Sequence, residues 1–215
     1  HEIKNPLTSL KSAVETAARV TEPEQQQKLL AIIQDDVERL DRLITDISNA
    51  SRLDAELSRT ALTKINVGDM LETLTDIHTS TAKEGAPRIV VEMGTNTACA
   101  VSGMEDRLVQ VFRTLIANAI TFSPTEGLIT IALPQDDDGC AIVTVSDEGP
   151  GIQPGKETTI FERFYSERPE GEKFGTHSGL GLSISKLIID AHHGTIAAGN
   201  RYATNGAVIG ARFTV

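Results

Sequence analysis

Apolar residues recur in alternating steps of four and three through the first part of the chain. They run Ile3, Leu7, Leu10, Val14 and Ala17, and then Leu30, Ile33, Val37, Leu40, Ile44 and Ile47. Each row is the seam of an amphipathic helix. Thr21-Glu22-Pro23 separates the two, with Pro23 suited to the first turn of the second helix. One hairpin cannot bury two seams, so the pattern predicts a dimer closing a four-helix bundle, against the alternative of a hairpin laid on the rest of its own chain. Between Ser58 and Asn66 the heptads stop. Beyond them the periods predict a helix from Val67 to Glu84, short strands at Ile89 to Met93 and Ala98 to Val101, and an amphipathic helix from Met104 to Phe122 ended by Ser123-Pro124. Leu128 to Leu133 and Ala141 to Val145 alternate as strands of a hairpin through Asp136-Asp137-Asp138-Gly139. Gly149 to Ser178 has no strong period and is broken by glycines and prolines, the mark of a lid or binding loop. A helix from Gly179 to His193 and strands at Thr195 to Gly199 and Val208 to Val215 close the chain. Helices and antiparallel strands in this order give an α+β class: a helical hairpin over 1–60, then a two-layer α/β sandwich over 61–215.

The first residue stands off this pattern. At about 100° per residue the seam of the first helix clusters roughly 210° from His1, which therefore points outward. Asn5, four residues on, shares that outward face. Pro6 removes a backbone donor and crowds the carbonyl of Glu2, so the helix should bend beside the histidine. An exposed imidazole next to a carboxylate and a kink is a candidate nucleophile. A surface histidine on an ordinary helix explains the octapeptide alone equally well.

Composition narrows the classes. Of 215 residues, 40% are hydrophobic and 23% charged, ordinary for a globular chain, and the net charge of -10 with no basic run argues against nucleic acid as the partner. Cys99 and Cys140 fit no metal-ligand spacing and read as reduced thiols of a cytosolic domain. No apolar run reaches the roughly 18 residues of a membrane span. The chain starts at a histidine, not Met, and is expected to be a fragment whose membrane anchor, if any, lies upstream.

Three segments of the second unit carry chemistry. Asn118-Ala119-Ile120-Thr121-Phe122-Ser123-Pro124 ends an amphipathic helix; Asp147-Glu148-Gly149-Pro150-Gly151 follows a strand; Gly175-Thr176-His177-Ser178-Gly179-Leu180-Gly181-Leu182 opens a helix. Glycine-rich backbone at a helix start supplies free N–H groups and a dipole suited to phosphate. An aspartate at a strand end, with glycines letting a flat ring approach, suits an adenine amino group. The amide oxygen of Asn118 is a hard ligand suited to Mg²⁺. Each segment alone has a plainer reading: a turn, a helix C-cap, a helix start. The third is neither a dinucleotide fingerprint nor a P-loop, since no strand runs directly into it and Gly-Lys-Ser/Thr is missing.

Taken together and in order, the segments resemble the catalytic core of the bacterial sensor histidine kinases of two-component signalling. His1 to Thr8 resembles that family's H-box, Thr114 to Pro124 its N-box, Asp147 to Gly151 its G1 box, Phe161-Glu162-Arg163-Phe164-Tyr165 its F-box and Ser178 to Leu182 its G2 box. The wording of the first helix looks most like the ChvG type of envelope-sensing kinases. The resemblance implies a dimerisation and phosphotransfer hairpin followed by an ATP-binding domain of the GHKL (Bergerat) type. It implies His1 as phosphoacceptor, Glu2 as its proton acceptor and Asn5 as the residue that positions water to dephosphorylate a partner. It further implies Asn118 on Mg²⁺, Asp147 on adenine, Gly149, Gly151, Gly179, Leu180, Gly181 and Leu182 around the nucleotide, and Phe161 and Phe164 anchoring a lid. The implied cofactors are ATP and Mg²⁺. The implied partners are a second copy of the chain and a response-regulator receiver domain, in the cytoplasmic portion of an inner-membrane sensor. The chain departs from the pattern at Thr114, where an Asn is usual, at Thr121, where a Lys or Arg is common, and at Thr176-His177, which replace a glycine pair. Two other classes remain open at this point: a dimeric docking scaffold with a degenerate nucleotide site, and another ATPase of the GHKL type. The hairpin bearing His1 speaks against the latter.

Overall fold

The computed structural model describes residues 4–20, 22–34, 36–37, 40, 44, 48, 62–94, 100–134, 141–165 and 179–215, with side chains from residue 7 onward. His1, Glu2, the Asn5 side chain, the Asp136 to Gly139 turn, Gly175 to Ser178, both cysteines and the junction at 60/61 lie outside the described residues. No described helix is long and apolar enough to cross a membrane.

The first unit opens with helix α1, Lys4–Ala17, and continues in α2, helical over 23–34. Each helix carries two apolar rows where the sequence suggests one seam. Ala13 is buried, and Leu10, Ala17, Leu29, Ile33 and Leu40 are half-buried by the chain itself. Leu7, Val14, Leu30, Val37 and Ile44 stay between 46% and 62% exposed. Steps of four and three spread apolar residues over an arc wider than one neighbour covers, so within a single chain half of each stripe is left open.

The second unit begins at β1 (Thr63–Asn66), which pairs antiparallel with β3 (Ala100–Gly103). The sequence pattern did not announce β1, because only Ile65 of its four residues is buried. Asn66 caps α3 (Val67–Thr81), its side chain accepting from Gly68 N at 3.1 Å. α4 (Glu105–Phe122) starts directly after β3, and α5 (Gly181–Ala191) precedes the last two strands. The main sheet runs β2-β4-β5-β7-β6, with β2 Arg88–Met93, β4 Leu128–Leu133, β5 Thr144–Ser146, β6 Ala197–Tyr202 and β7 Val208–Thr214. All its pairings are antiparallel except one: β2 and β4 are parallel. That pair is parallel because β3 and α4 intervene, and such a crossover returns the chain beside β2 in the same direction.

Alternation on β4 puts Ile129, Ile131 and Leu133 into the core, where they meet Val111, Leu115 and Ile116 of α4, Leu71 and Leu74 of α3 and Ile184 and Ile188 of α5. Helices on one face of a mixed sheet make the predicted two-layer α+β arrangement. α4 is its central helix, packing on both α3 and α5. Leu115→Ala, at a position with no exposure, should cost about 2–5 kcal/mol through lost burial and a cavity. Ile77→Ala, at a position 55% exposed, should stay within about 0.5 kcal/mol of the parent in the same urea titration.

Candidate functional site

β5 ends at Ser146, and the next residue leaves the sheet buried: Asp147 is 3% exposed. Its backbone N–H donates to Ala211 O at 3.0 Å. Its Oδ1 accepts from Ala211 N at 2.9 Å and from Gly149 N at 2.8 Å, leaving Oδ2 as the carboxylate's second acceptor. Arg201 Nη1 donates to the Asp147 carbonyl at 2.6 Å. Burial pushes the Asp147 carboxyl above the ordinary carboxylate range, and the two backbone amides and the Arg201 guanidinium offset part of that. Gly210, at φ +146°, passes so close that an added Cβ would overlap the Asp147 carbonyl.

α4 gathers the other pieces. Thr114, Asn118 and Phe122 step by four and lie along one stripe of the helix. At one end, a Cβ on Gly149 would come within 2.6 Å of the Phe122 carbonyl. At the other, a Cβ on Gly181 would meet Thr114 Cγ2 at 2.9 Å. Thr114 Oγ1 is turned back on its own helix, donating to Gln110 O at 2.9 Å. Asn118 sits between these two contacts, half-buried, and among the described residues no hydrogen bond engages its amide.

The glycines are explained by these approaches more than by turns alone. Gly151, at φ +80°, leaves room for Asn200, whose Oδ1 would lie 2.5 Å from a Cβ there. Gly179, at φ +68°, lies against the backbone of Phe164 and Tyr165, and its carbonyl accepts from Phe164 N at 2.9 Å. Leu180 is buried and Leu182 half-buried in the core, so what these two residues offer a ligand is backbone at the start of α5. Phe161 packs edge-on to Phe213 with ring centroids 6.4 Å apart. The Phe164 ring is 43% exposed and its backbone has φ +67°; the lid it is expected to anchor lies in 166–178, outside the described residues.

Asn200, Arg201, Gly210 and Ala211 escaped the sequence reading. The one available signal was Asn200 itself, an amide in a run of strand where such residues are depleted. Asp147 with an acceptor free of its own turn, glycine backbone on both sides of α4, and an eleven-residue helix presenting its N-terminal amides make a set that fits an adenine nucleotide. The carboxylate answers an amino group and the helix start answers phosphate. Among the described residues no group of three His, Cys, Asp or Glu gathers to hold a metal.

Residues 103–215 match the family described as histidine kinase-, DNA gyrase B- and HSP90-like ATPase, and residues 1–56 match the His Kinase A (phospho-acceptor) domain. Across the whole chain, identity is 47% to the sensor protein ChvG of Rhizobium meliloti and 48% to that of Agrobacterium fabrum. The chain spans 38% and 37% of the length of those two relatives. Among solved structures, the Acinetobacter baumannii histidine kinase AdeS superposes with TM-score 0.70 at 24% identity, covering 100% of this chain and 95% of that one. The histidine kinase ThkA, in complex with the response regulator TrrA, superposes with TM-score 0.73 at 24% identity, covering 100% and 57%.

The buried carboxylate sets a testable pH dependence. Folding raises the Asp147 pKa, so the folded chain holds that proton more tightly than the unfolded one. The buried charge therefore costs stability above the folded-state pKa, and the cost is relieved as pH falls through it. Asp147→Asn keeps an oxygen for the two amides without the charge. It should be at least as stable as the parent at pH 7, with an advantage that shrinks on acidification in parallel denaturant titrations. Facing an adenine amino group with a donor, the same variant should bind ATP more weakly by roughly 1–3 kcal/mol in calorimetry.

Proposed function

The chain belongs to the sensor histidine kinase family, with a nucleotide-binding unit shared with gyrase B- and HSP90-like ATPases, and from that premise we propose how its residues divide a phosphotransfer reaction. ATP binds the second unit with its adenine amino group on Asp147. Gly149 and Gly151 flank the base, and the backbone from Gly179 to Leu182 faces the phosphates. The Asn118 amide oxygen would hold Mg²⁺, which would supply charge neutralisation at the phosphates. The observation that carries the reading is the stripe of α4, which sets Asn118 between the contact of Phe122 with Gly149 and that of Thr114 with Gly181.

His1 receives the phosphoryl group. A ring nitrogen attacks the γ-phosphorus in line with the bridging oxygen, the N–P bond forming as the P–O bond breaks and ADP leaving with the electron pair. The proton on the other ring nitrogen passes to Glu2, which keeps the attacking nitrogen nucleophilic near pH 7. Placement and electrostatics supply most of the acceleration. The phosphoryl group then moves to an aspartate of a response-regulator receiver domain, as the ThkA–TrrA complex suggests by analogy. In a separate hydrolysis, Asn5 holds the water that attacks the regulator's aspartyl phosphate, releasing inorganic phosphate and the free carboxylate.

The working unit is a homodimer, its bundle closed by the outward row of Leu7, Val14, Leu30, Val37 and Ile44. A division at 60/61 is supported by the pairing of β1 with β3, which ties Thr63–Asn66 to the second unit. A degenerate scaffold is not favoured: Asp147 and Asn118 are both in place, and the departure at Thr114 serves packing.

Three experiments test this. His1→Ala should abolish acid-labile labelling from γ-labelled ATP while ATP binding and folding persist; label on another residue would remove His1 from the role. Val37→Asp puts a charge in the outward row and should shift sedimentation from dimer to monomer. Asn5→Ala should leave autophosphorylation within about 2-fold and slow regulator dephosphorylation by about 10-fold, some 1.4 kcal/mol of barrier. Equal losses in both rates would mean that Asn5 serves the helix only.

A further inference from the structure

We infer that Asn200, on β6, is a positioning residue for adenine recognition, stapling the far end of the arch that carries Asp147. The inference rests on the reading of Asp147 as the adenine acceptor. The arch runs from Asp147 to Ile152 through Gly149-Pro150-Gly151. Its near end is tied to β7 by the paired bonds between Asp147 and Ala211. Its far end is tied to β6 by Asn200, whose Oδ1 accepts from Ile152 N at 2.6 Å and whose Nδ2 donates to Ile152 O at 2.8 Å.

That pair of bonds needs an amide. Only Asn and Gln place a donor and an acceptor side by side to match a backbone N–H and C=O, and Gln is one methylene too long for the space left by Gly151. A Cβ at Gly151 would lie 2.5 Å from both Asn200 Oδ1 and Val208 Cγ1, so the arch and the side chain are already in close contact. The two staples converge on one rung of the sheet, since Asn200 stands opposite Ala211 in the β6–β7 register. Arg201, the next residue, adds the bond to the Asp147 carbonyl. With both ends held, the glycine-rich arch cannot swing, and Asp147 Oδ2 keeps one direction. With Asn200 removed, the far end keeps the burial of the Ile152 side chain but loses both bonds to its backbone, and two glycines let the arch between shift.

The measurement is the ratio of affinities for ATP and inosine triphosphate, which presents a carbonyl where adenine presents its amino group. The parent should prefer ATP by at least about 10-fold, as sites built on a substrate donor do. Asn200→Ala should narrow that ratio to within about 3-fold while inosine triphosphate affinity and the far-UV spectrum hold, because the phosphate contacts lie on α5. Asn200→Asp keeps the shape but sets an oxygen against Ile152 O, so it should narrow the ratio as well. A parental ratio in either folded variant overturns the positioning role, as does failure of both variants to fold, which would make Asn200 structural only. A parent with no preference for ATP would instead remove Asp147 as the adenine acceptor, and the inference with it.

Discussion

A carboxylate can be kept inside a protein only where donors answer its charge, and at Asp147 those donors are backbone amides held by the sheet itself. Ala211 donates to the side chain while accepting from the Asp147 main chain, so the residue is placed as though β5 continued by one more rung. This requirement reaches outward. β7 must pass close enough for both bonds, which excludes any side chain at Gly210. The turn must fold back to bring Gly149 N to the same oxygen, which presses Gly149 onto the end of α4. The rise in the Asp147 pKa is the residual cost of that burial, and the adenine-binding role proposed for the carboxylate would give it reason to bear it.

α4 converts the local arrangement into a site. Its inward face belongs to the core through Val111, Phe112, Leu115 and Ile116, which fixes its rotation. With rotation fixed, the stripe of Thr114, Asn118 and Phe122 can face only the two glycine segments. Core packing and site geometry are thus one constraint. A cavity under Leu115 would loosen the helix that places Asn118, so stability and nucleotide affinity should respond together to mutations there and separately to mutations on β6.

Much of this was legible in the chain because its signals are local. The heptad steps, the alternation of β4 and the glycines after Asp147 each lie within a few residues of what they act on. What escaped reading acts at a distance. Asn200 lies 48 residues from Ile152, and Ala211 lies 64 from Asp147, and no periodicity links such positions. The parallel pairing of β2 with β4 was hidden for the same reason, since strand direction depends on the crossover and not on strand composition. The hairpin's stripe was visible, but its division into a covered row and an open row needed the three-dimensional exposure of Leu7 and Val14 against Leu10 and Ala13.

The departures from the family pattern can be weighed on the same footing. Thr114 stands where an amide is usual, which by itself suggests a weakened grip on metal and phosphate. Its hydroxyl, however, is satisfied within α4, and its methyl bears on Gly181. The residue therefore acts through shape, setting how closely the start of α5 approaches α4. An Asn there would carry a polar amide into a contact where even an added Cβ on Gly181 leaves 2.9 Å. The amide proposed to hold a metal is one turn on, at Asn118, with no hydrogen bond to it among the described residues. Asp147, Asn118 and the start of α5 are unchanged, and the departure at Thr114 falls on a residue that spaces two helices, so that substitution by itself does not argue for a lost site.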